Sequence, residues 1–150
     1  MKKTKIIFLC HGNICRSPMA EYLFKDLARK AGRGDEFSVG SAAVSYEEEG
    51  NPMYPPAKRK LHEKGIPFGE HHAHRITREE WDEADIVVVM DGSNRRILER
   101  IMGESDPGKV RLLLSYAGKS RDVADPWYTG DFEIAYNDIL EGCRAMLSSL

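Results

Sequence analysis

Apolar residues fall along this chain in two alternating patterns. Short continuous runs at residues 6–9 and 86–90 (Ile-Val-Val-Val-Met) predict strands covered on both faces. Residues 37–41 and 110–114 are weaker strand candidates. Between the runs, apolar positions recur at helical spacing. Ala20, Leu23, Phe24, Leu27 and Ala31 mark one helix, with Pro18 tolerated in its first turn. Thr77 and Glu80 have capping-box spacing ahead of a short helix ending near Ala84. Ser93 is placed to cap a helix carrying Ile97, Leu98 and Ile101. Phe132, Ala135, Tyr136, Ile139, Leu140, Cys143, Leu147 and Leu150 form the single apolar stripe of a last helix.

Strands alternating with helices predict an α/β fold: a single three-layer domain over residues 1–150. Right-handed crossovers place helices on both faces of a parallel sheet of about four strands. There is no internal repeat, low-complexity tract or Pro/Ser-rich linker to mark a boundary. Ligands of such sheets bind beyond the carboxyl ends of the strands. Three segments fall there: residues 10–17 after the first strand, Asp91-Gly92-Ser93 after the third, and the stretch with Asp125 after the fourth.

Composition narrows the function. A net charge of −2 gives no electrostatic footprint for nucleic acid, and hydrophobic content of 41% is ordinary for a globular protein. No apolar run approaches the roughly 20 residues of a membrane helix. The start, Met1 to Leu9, imitates a signal peptide, but His11, Asn13 and Arg16 interrupt its apolar core, so secretion is not expected. The three cysteines, Cys10, Cys15 and Cys143, are too few for a disulfide scaffold and fit a reducing cytoplasm. A cytoplasmic monomer is expected, with no membrane or nucleic-acid partner.

The segment Cys10-His11-Gly12-Asn13-Ile14-Cys15-Arg16-Ser17 carries the chemistry. A strand–loop–helix turn aims its loop N–H groups and the first N–H groups of the helix at one point, which suits a phosphate. Gly12 permits unusual backbone angles, and Asn13 is among the few other residues that tolerate positive φ. Arg16 adds a planar, permanently charged fork for two phosphate oxygens. The cradle that attracts phosphate also stabilises a thiolate at Cys10, and the Ser17 hydroxyl can donate to that sulfur. Taken singly, Cys10 reads as a core thiol and Arg16 as a surface residue; in this order at a strand–helix junction they read as a site. It is not an NTP-binding loop, because no Gly-x4-Gly-Lys-Ser/Thr occurs.

The run from Leu9 to Glu21, with Asp125-Pro126-Trp127-Tyr128 near the other end, resembles the signature and acid loop of the low-molecular-weight protein tyrosine phosphatases. Gly65-Ile66-Pro67, Arg75-Ile76-Thr77 and Met90-Asp91-Gly92-Ser93-Asn94 are also similar to family segments. The resemblance implies a cysteine-dependent phosphatase domain acting on phosphotyrosine proteins with no cofactor or metal. Cys10 is the implied nucleophile, Arg16 the phosphate ligand and Asp125 the general acid, with Asp122 as fallback. His11, Gly12, Asn13, Ile14, Cys15 and Arg16 would bind phosphate. Ser17 and His71 would support the loop, His71 through Asn13. Cys15 would form a reversible disulfide with Cys10 that protects the nucleophile. Trp127 and Tyr128 match one aromatic wall of the cleft. On the other wall Tyr46 is the nearest aromatic, but by register Glu47 takes the aromatic position. Asp91 would orient the loop or the substrate side.

Other features read as structural. Cys143 lies on the core stripe. His71, His72 and His74 lack the further ligands of a metal site. Glu47-Glu48-Glu49 and Lys58-Arg59-Lys60 read as solvated faces. Three other functions share this scaffold or composition. Arsenate reductases of similar sequence need two further cysteines, and none lies between Cys15 and Cys143. Protein-arginine phosphatases carry threonine where Ile14 stands. A phosphotyrosine-binding or redox-sensing module would not keep Cys10, Arg16 and Asp125 together.

Overall fold

The computed structural model describes residues 2–150. The apolar run after the N-terminus becomes β1 (Thr4–Cys10), which pairs in parallel with β2 (Phe37–Ala43) and β3 (Ile86–Val89); β3 pairs in turn with β4 (Val110–Leu112). The strand order is β2-β1-β3-β4, so the chain reverses direction across the sheet beside β1. A crevice opens at that switch point beyond the carboxyl end of β1.

Strand alternation sends successive side chains to opposite faces. Ile6, Phe8 and Cys10 of β1 join Val88 and Met90 under α1 (Arg16–Lys30), α2 (Pro55–Glu63) and α6 (Phe132–Ser149). Leu9, Val87 and Val89 face the other way, under Trp81 of α3 (Arg78–Glu83) and Leu98 and Met102 of α4 (Gly92–Met102). A four-residue helix, α5 (Pro126–Thr129), follows the last strand. The three-layer arrangement is therefore the one the hydrophobic pattern implies.

The stripe of α6 packs on α1. Cys143 is fully buried there, its Sγ 3.9 Å from the carbonyl of Ala20. Burial alone pushes that thiol's pKa up, as expected of a core cysteine. One residue earlier, a Cβ on Gly142 would lie 2.5 Å from Leu113 Cγ, so only glycine lets α6 approach this closely.

Several local expectations change. The third strand ends at Val89 rather than Met90, and the fourth ends at Leu112, giving way to a 3₁₀ helix over Leu113–Ala117. Ser93 does not cap α4. Asp91 does, accepting from Asn94 N at 2.7 Å, while the Asn94 side chain answers to the Asp91 N–H. An aspartate two residues earlier closes the turn that the serine would have closed. Lys58-Arg59-Lys60 lies on α2, a helix whose buried face consists of Ala57 and Leu61. The Thr77–Glu80 capping box is present, with α3 ending before Ala84.

Candidate active site

β1 delivers Cys10 to the crevice with only 3% of its surface exposed. Three donors converge on its sulfur: Asn13 N at 3.3 Å, Ser17 N at 3.4 Å and Ser17 Oγ at 3.0 Å. The Ser17 hydroxyl accepts from Asn13 Nδ2 at 2.8 Å, so its own proton is available to the sulfur at 3.0 Å, the competing acceptor Ala42 O lying farther off at 3.5 Å. Helix α1 begins at Arg16 with no side-chain cap, whereas α3, α4 and α6 are capped by Thr77, Asp91 and Asp131. Its first N–H groups are thus left for an anion in the loop.

Asn13 organises the loop. It is the one non-glycine residue with positive φ (62°) among the described residues, and it is fully buried. Its Nδ2 also donates to Ser41 Oγ (3.1 Å), and Ser41 donates to Glu21 Oε1 (2.6 Å). Its Oδ1 accepts from His74 N (3.3 Å), and its carbonyl pairs with His71 Nε2 (2.7 Å). Burial holds the His71 pKa below the ordinary histidine value, although the Asn13 carbonyl opposes the shift. A neutral ring donating from Nε2 fits this contact.

Arg16 is nearly inaccessible and enters three contacts. Nη1 donates to Asp91 Oδ2 and to Val123 O, both at 2.8 Å, and Nη2 to Asp125 Oδ2 at 3.4 Å. Burial opposes its charge, but the Cys10 sulfur, Asp125 and Asp91 outweigh it, so the guanidinium is held more firmly protonated than usual. Asp91 thus caps α4 with one oxygen and orients Arg16 with the other. Asp125 caps α5, accepting from Trp127 N at 3.1 Å. Asp122 sits apart from the cleft and accepts from Gly92 N at 3.2 Å.

Cys10, Gly12, Cys15 and Arg16 form the floor of the cleft, and Trp127, Tyr128, Glu47 and Glu48 wall its mouth beside His11 and Ile14. Burial, with the Cys10 sulfur adding to it, pushes the Cys15 thiol's pKa up. Tyr46 does not line the cleft. It is 63% exposed and stacks on Arg75, whose guanidinium carbon lies 4.3 Å from the ring centre. The three glutamates are not a freely solvated face either. Glu47 pairs with His11 Nε2 at 3.0 Å, Glu48 accepts from Asn51 Nδ2 at 2.6 Å and Glu49 from Arg75 N at 2.9 Å. Their turn is pinned on every side, and two of its carboxylates face the cleft.

Glu48, Tyr54, Glu21 and Ser41 are site residues that sequence reasoning missed. Tyr54 backs the wall, its ring centre 4.8 Å from that of Trp127, and its N–H donates to Ile14 O at 2.9 Å. Neither contact has a local sequence signal, because each joins segments far apart in the chain. Among the described residues no group of three or more His, Cys, Asp or Glu side chains is set to hold a metal. His72 instead pairs with Glu70, and His74 with Glu80.

Comparison with known proteins agrees with this geometry. Residues 5–150 match the family model for low molecular weight phosphotyrosine protein phosphatase. The chain is 36% identical over 147 residues to the low molecular weight protein-tyrosine-phosphatase YfkJ of Bacillus subtilis, covering 97% of this chain and 94% of that one. The crystal structure of YfkJ superposes with a TM-score of 0.94 at 35% identity, covering 99% of this chain and 95% of the other. A drosophila arginine phosphatase structure gives a TM-score of 0.88 at 30% identity over 97% of each chain.

Proposed function

The chain belongs to the low molecular weight phosphotyrosine protein phosphatase family, and from that premise we propose that it hydrolyses phosphotyrosine in proteins with Cys10 as nucleophile, Arg16 as phosphate ligand and Asp125 as general acid. The observation that carries the reading is the convergence of three donors on the Cys10 sulfur, at a helix start left uncapped, with Arg16 bridging to Asp125.

The reaction has two halves. The Cys10 thiolate attacks phosphorus in line with the leaving oxygen, and the S–P bond forms as the P–O bond breaks. The three equatorial oxygens are taken up by the loop N–H groups and the Arg16 guanidinium. Asp125 gives its proton to the departing phenolate. Its carboxylate then takes a proton from water, whose oxygen attacks phosphorus, releasing phosphate and restoring the thiolate. His71 holds the Asn13 carbonyl, and so fixes the peptide that follows the residue whose own N–H points at the sulfur. Cys15, a neutral thiol beside the nucleophile, is the proposed partner for a protective disulfide. Glu47, Trp127 and Tyr128 are the proposed substrate-side residues; Tyr46 is left out of the wall.

A second reading, hydrolysis of phosphoarginine, draws on the likeness to an arginine phosphatase. Ile14 in the loop and the paired aromatics of α5 favour a flat aryl phosphate instead. The free cysteines support a reducing, cytoplasmic setting for the enzyme, and no helix among the described residues is long and apolar enough to cross a membrane. The test is turnover on matched phosphotyrosine and phosphoarginine peptides by wild type and Cys10→Ser. Phosphotyrosine should be preferred, and Cys10→Ser should abolish turnover while retaining vanadate or phosphate binding. Turnover by the serine variant would remove the mechanism, and a phosphoarginine preference would select the second reading.

A further inference from the structure

We propose that the Arg121–Asp138 ion pair is a positioning device for the general acid, setting where Asp125 stands over the loop; the proposal rests on the reading of Asp125 given above. Residues 119–125 link the 3₁₀ helix to α5 without helix or strand hydrogen bonding of their own. A backbone of that kind holds its path only through ties to its surroundings. Lys119 ties the start of the segment, its N–H to Leu114 O at 3.0 Å and its Nζ to Glu141 of α6 at 2.8 Å, and three consecutive residues tie the part nearer Asp125. Arg121 forks onto Asp138 in the middle of α6, with Nη1 on Oδ2 and Nη2 on Oδ1, both at 2.9 Å. Asp122 accepts from the first N–H of α4. Val123 donates to Met90 O at 2.9 Å and accepts from the catalytic arginine at 2.8 Å.

These ties differ in kind. The Val123 and Asp122 contacts hold two adjacent residues, a short base about which the rest could still pivot. A further tie at Arg121 removes the pivot, and a bidentate Arg–carboxylate pair is the most directional side-chain contact available for it. Asp138 has only 10% of its side chain exposed, a setting that carboxylates occupy when paired. Arg121 itself is half exposed, so the pair contributes little to stability and much to direction. Asp125 lies four residues along, and a displacement of about 1 Å in a catalytic group costs on the order of 10²-fold in rate.

The readout is leaving-group dependence. Protonation of the leaving oxygen matters greatly for phenyl phosphate and little for p-nitrophenyl phosphate, whose phenolate departs unaided. The comparison uses kcat/KM, which reports the step that expels the phenol. Arg121→Ala is expected to lower it for phenyl phosphate by roughly 10- to 100-fold and for p-nitrophenyl phosphate by less than about threefold. Arg121→Lys, which keeps the charge and loses the fork, should fall between. Asp138→Asn carries the same comparison if the alanine variant does not fold. An equal loss on both substrates, or no loss on either, overturns the proposal. Asp125→Asn is measured alongside. If it discriminates between the substrates and the Arg121 variants do not, the positioning role alone fails. If it does not discriminate, the acid assignment fails and the positioning role with it.

Discussion

Asn13→Ala tests how much of the loop is held by one side chain. The alanine removes three hydrogen bonds: to Ser17 Oγ at 2.8 Å, to Ser41 Oγ at 3.1 Å and from His74 N at 3.3 Å. At about 1 kcal/mol net each, these amount to about 3 kcal/mol. The residue stands at φ 62°, where an alanine costs about another 1 kcal/mol. The expected loss is about 4 kcal/mol, which lowers the melting temperature by roughly 10–15 °C for a chain of this size. Asn13→Gly suffers the same hydrogen-bond loss but accepts the backbone angle, so it should be less destabilised than alanine by about 0.5–1 kcal/mol. In the interior of a helix or strand the order of glycine and alanine is the reverse. Urea unfolding followed by far-ultraviolet circular dichroism measures both, and aryl phosphate turnover by the folded variants should fall because Ser17 loses the donor that orients its hydroxyl. An alanine variant within 1 kcal/mol of wild type, or a glycine variant less stable than the alanine one, would refute the account of the loop.

Asp125→Asn should slow aryl phosphate turnover by roughly 10²–10⁴-fold, whereas Asp122→Asn, away from the cleft, should change it by less than about tenfold; the reverse order would transfer the acid role to Asp122. Gly142→Ala should destabilise by about 1–3 kcal/mol, against the usual gain from alanine in a helix, because its Cβ would meet Leu113; a more stable variant would show that the α6 contact yields. Glu80 raises the His74 pKa above its ordinary value of 6.5. The pair's contribution is therefore complete below pH 6.5 and lost as pH rises through the raised value. The melting-temperature gap between wild type and His74→Ala should shrink from pH 6 to pH 8, and a gap that widens would contradict the sign.

Much of the fold was legible because β1, β3 and α6 each carry an apolar pattern that their burial reproduces, except that the α6 stripe stops short of Leu150, which lies past the helix end and is exposed. Helix α2 was hidden because its inner face is only Ala57 and Leu61, while Lys58, Arg59 and Lys60 dominate its composition. The cap of α4 was misassigned to Ser93 because Asp91 closes its box with Asn94 rather than with a glutamate or glutamine. At the site, the loop residues were readable because their chemistry is local: sulfur, glycine, asparagine and arginine within one turn. The mouth was not. Whether Tyr46 or Glu47 faces the cleft depends on how the turn after β2 is pinned by Asn51, Arg75 and His11, and none of those contacts has a sequence signature.

The packing of α6 on α1 has a consequence for biosynthesis. The proposed nucleophile, Cys10, lies six residues before α1 begins, yet the inner face of α1 shares its core with Tyr136, Ile139, Cys143 and Met146 of α6. A chain emerging from the ribosome displays the complete phosphate loop long before those residues exist. Until they arrive, Phe24 has only Phe8 and Phe37 against it, and the side of α1 turned toward α6 stays uncovered. The loop of the proposed chemistry is thus made well before the helix that completes the packing of α1 behind it, and it gains that support only when α6 follows.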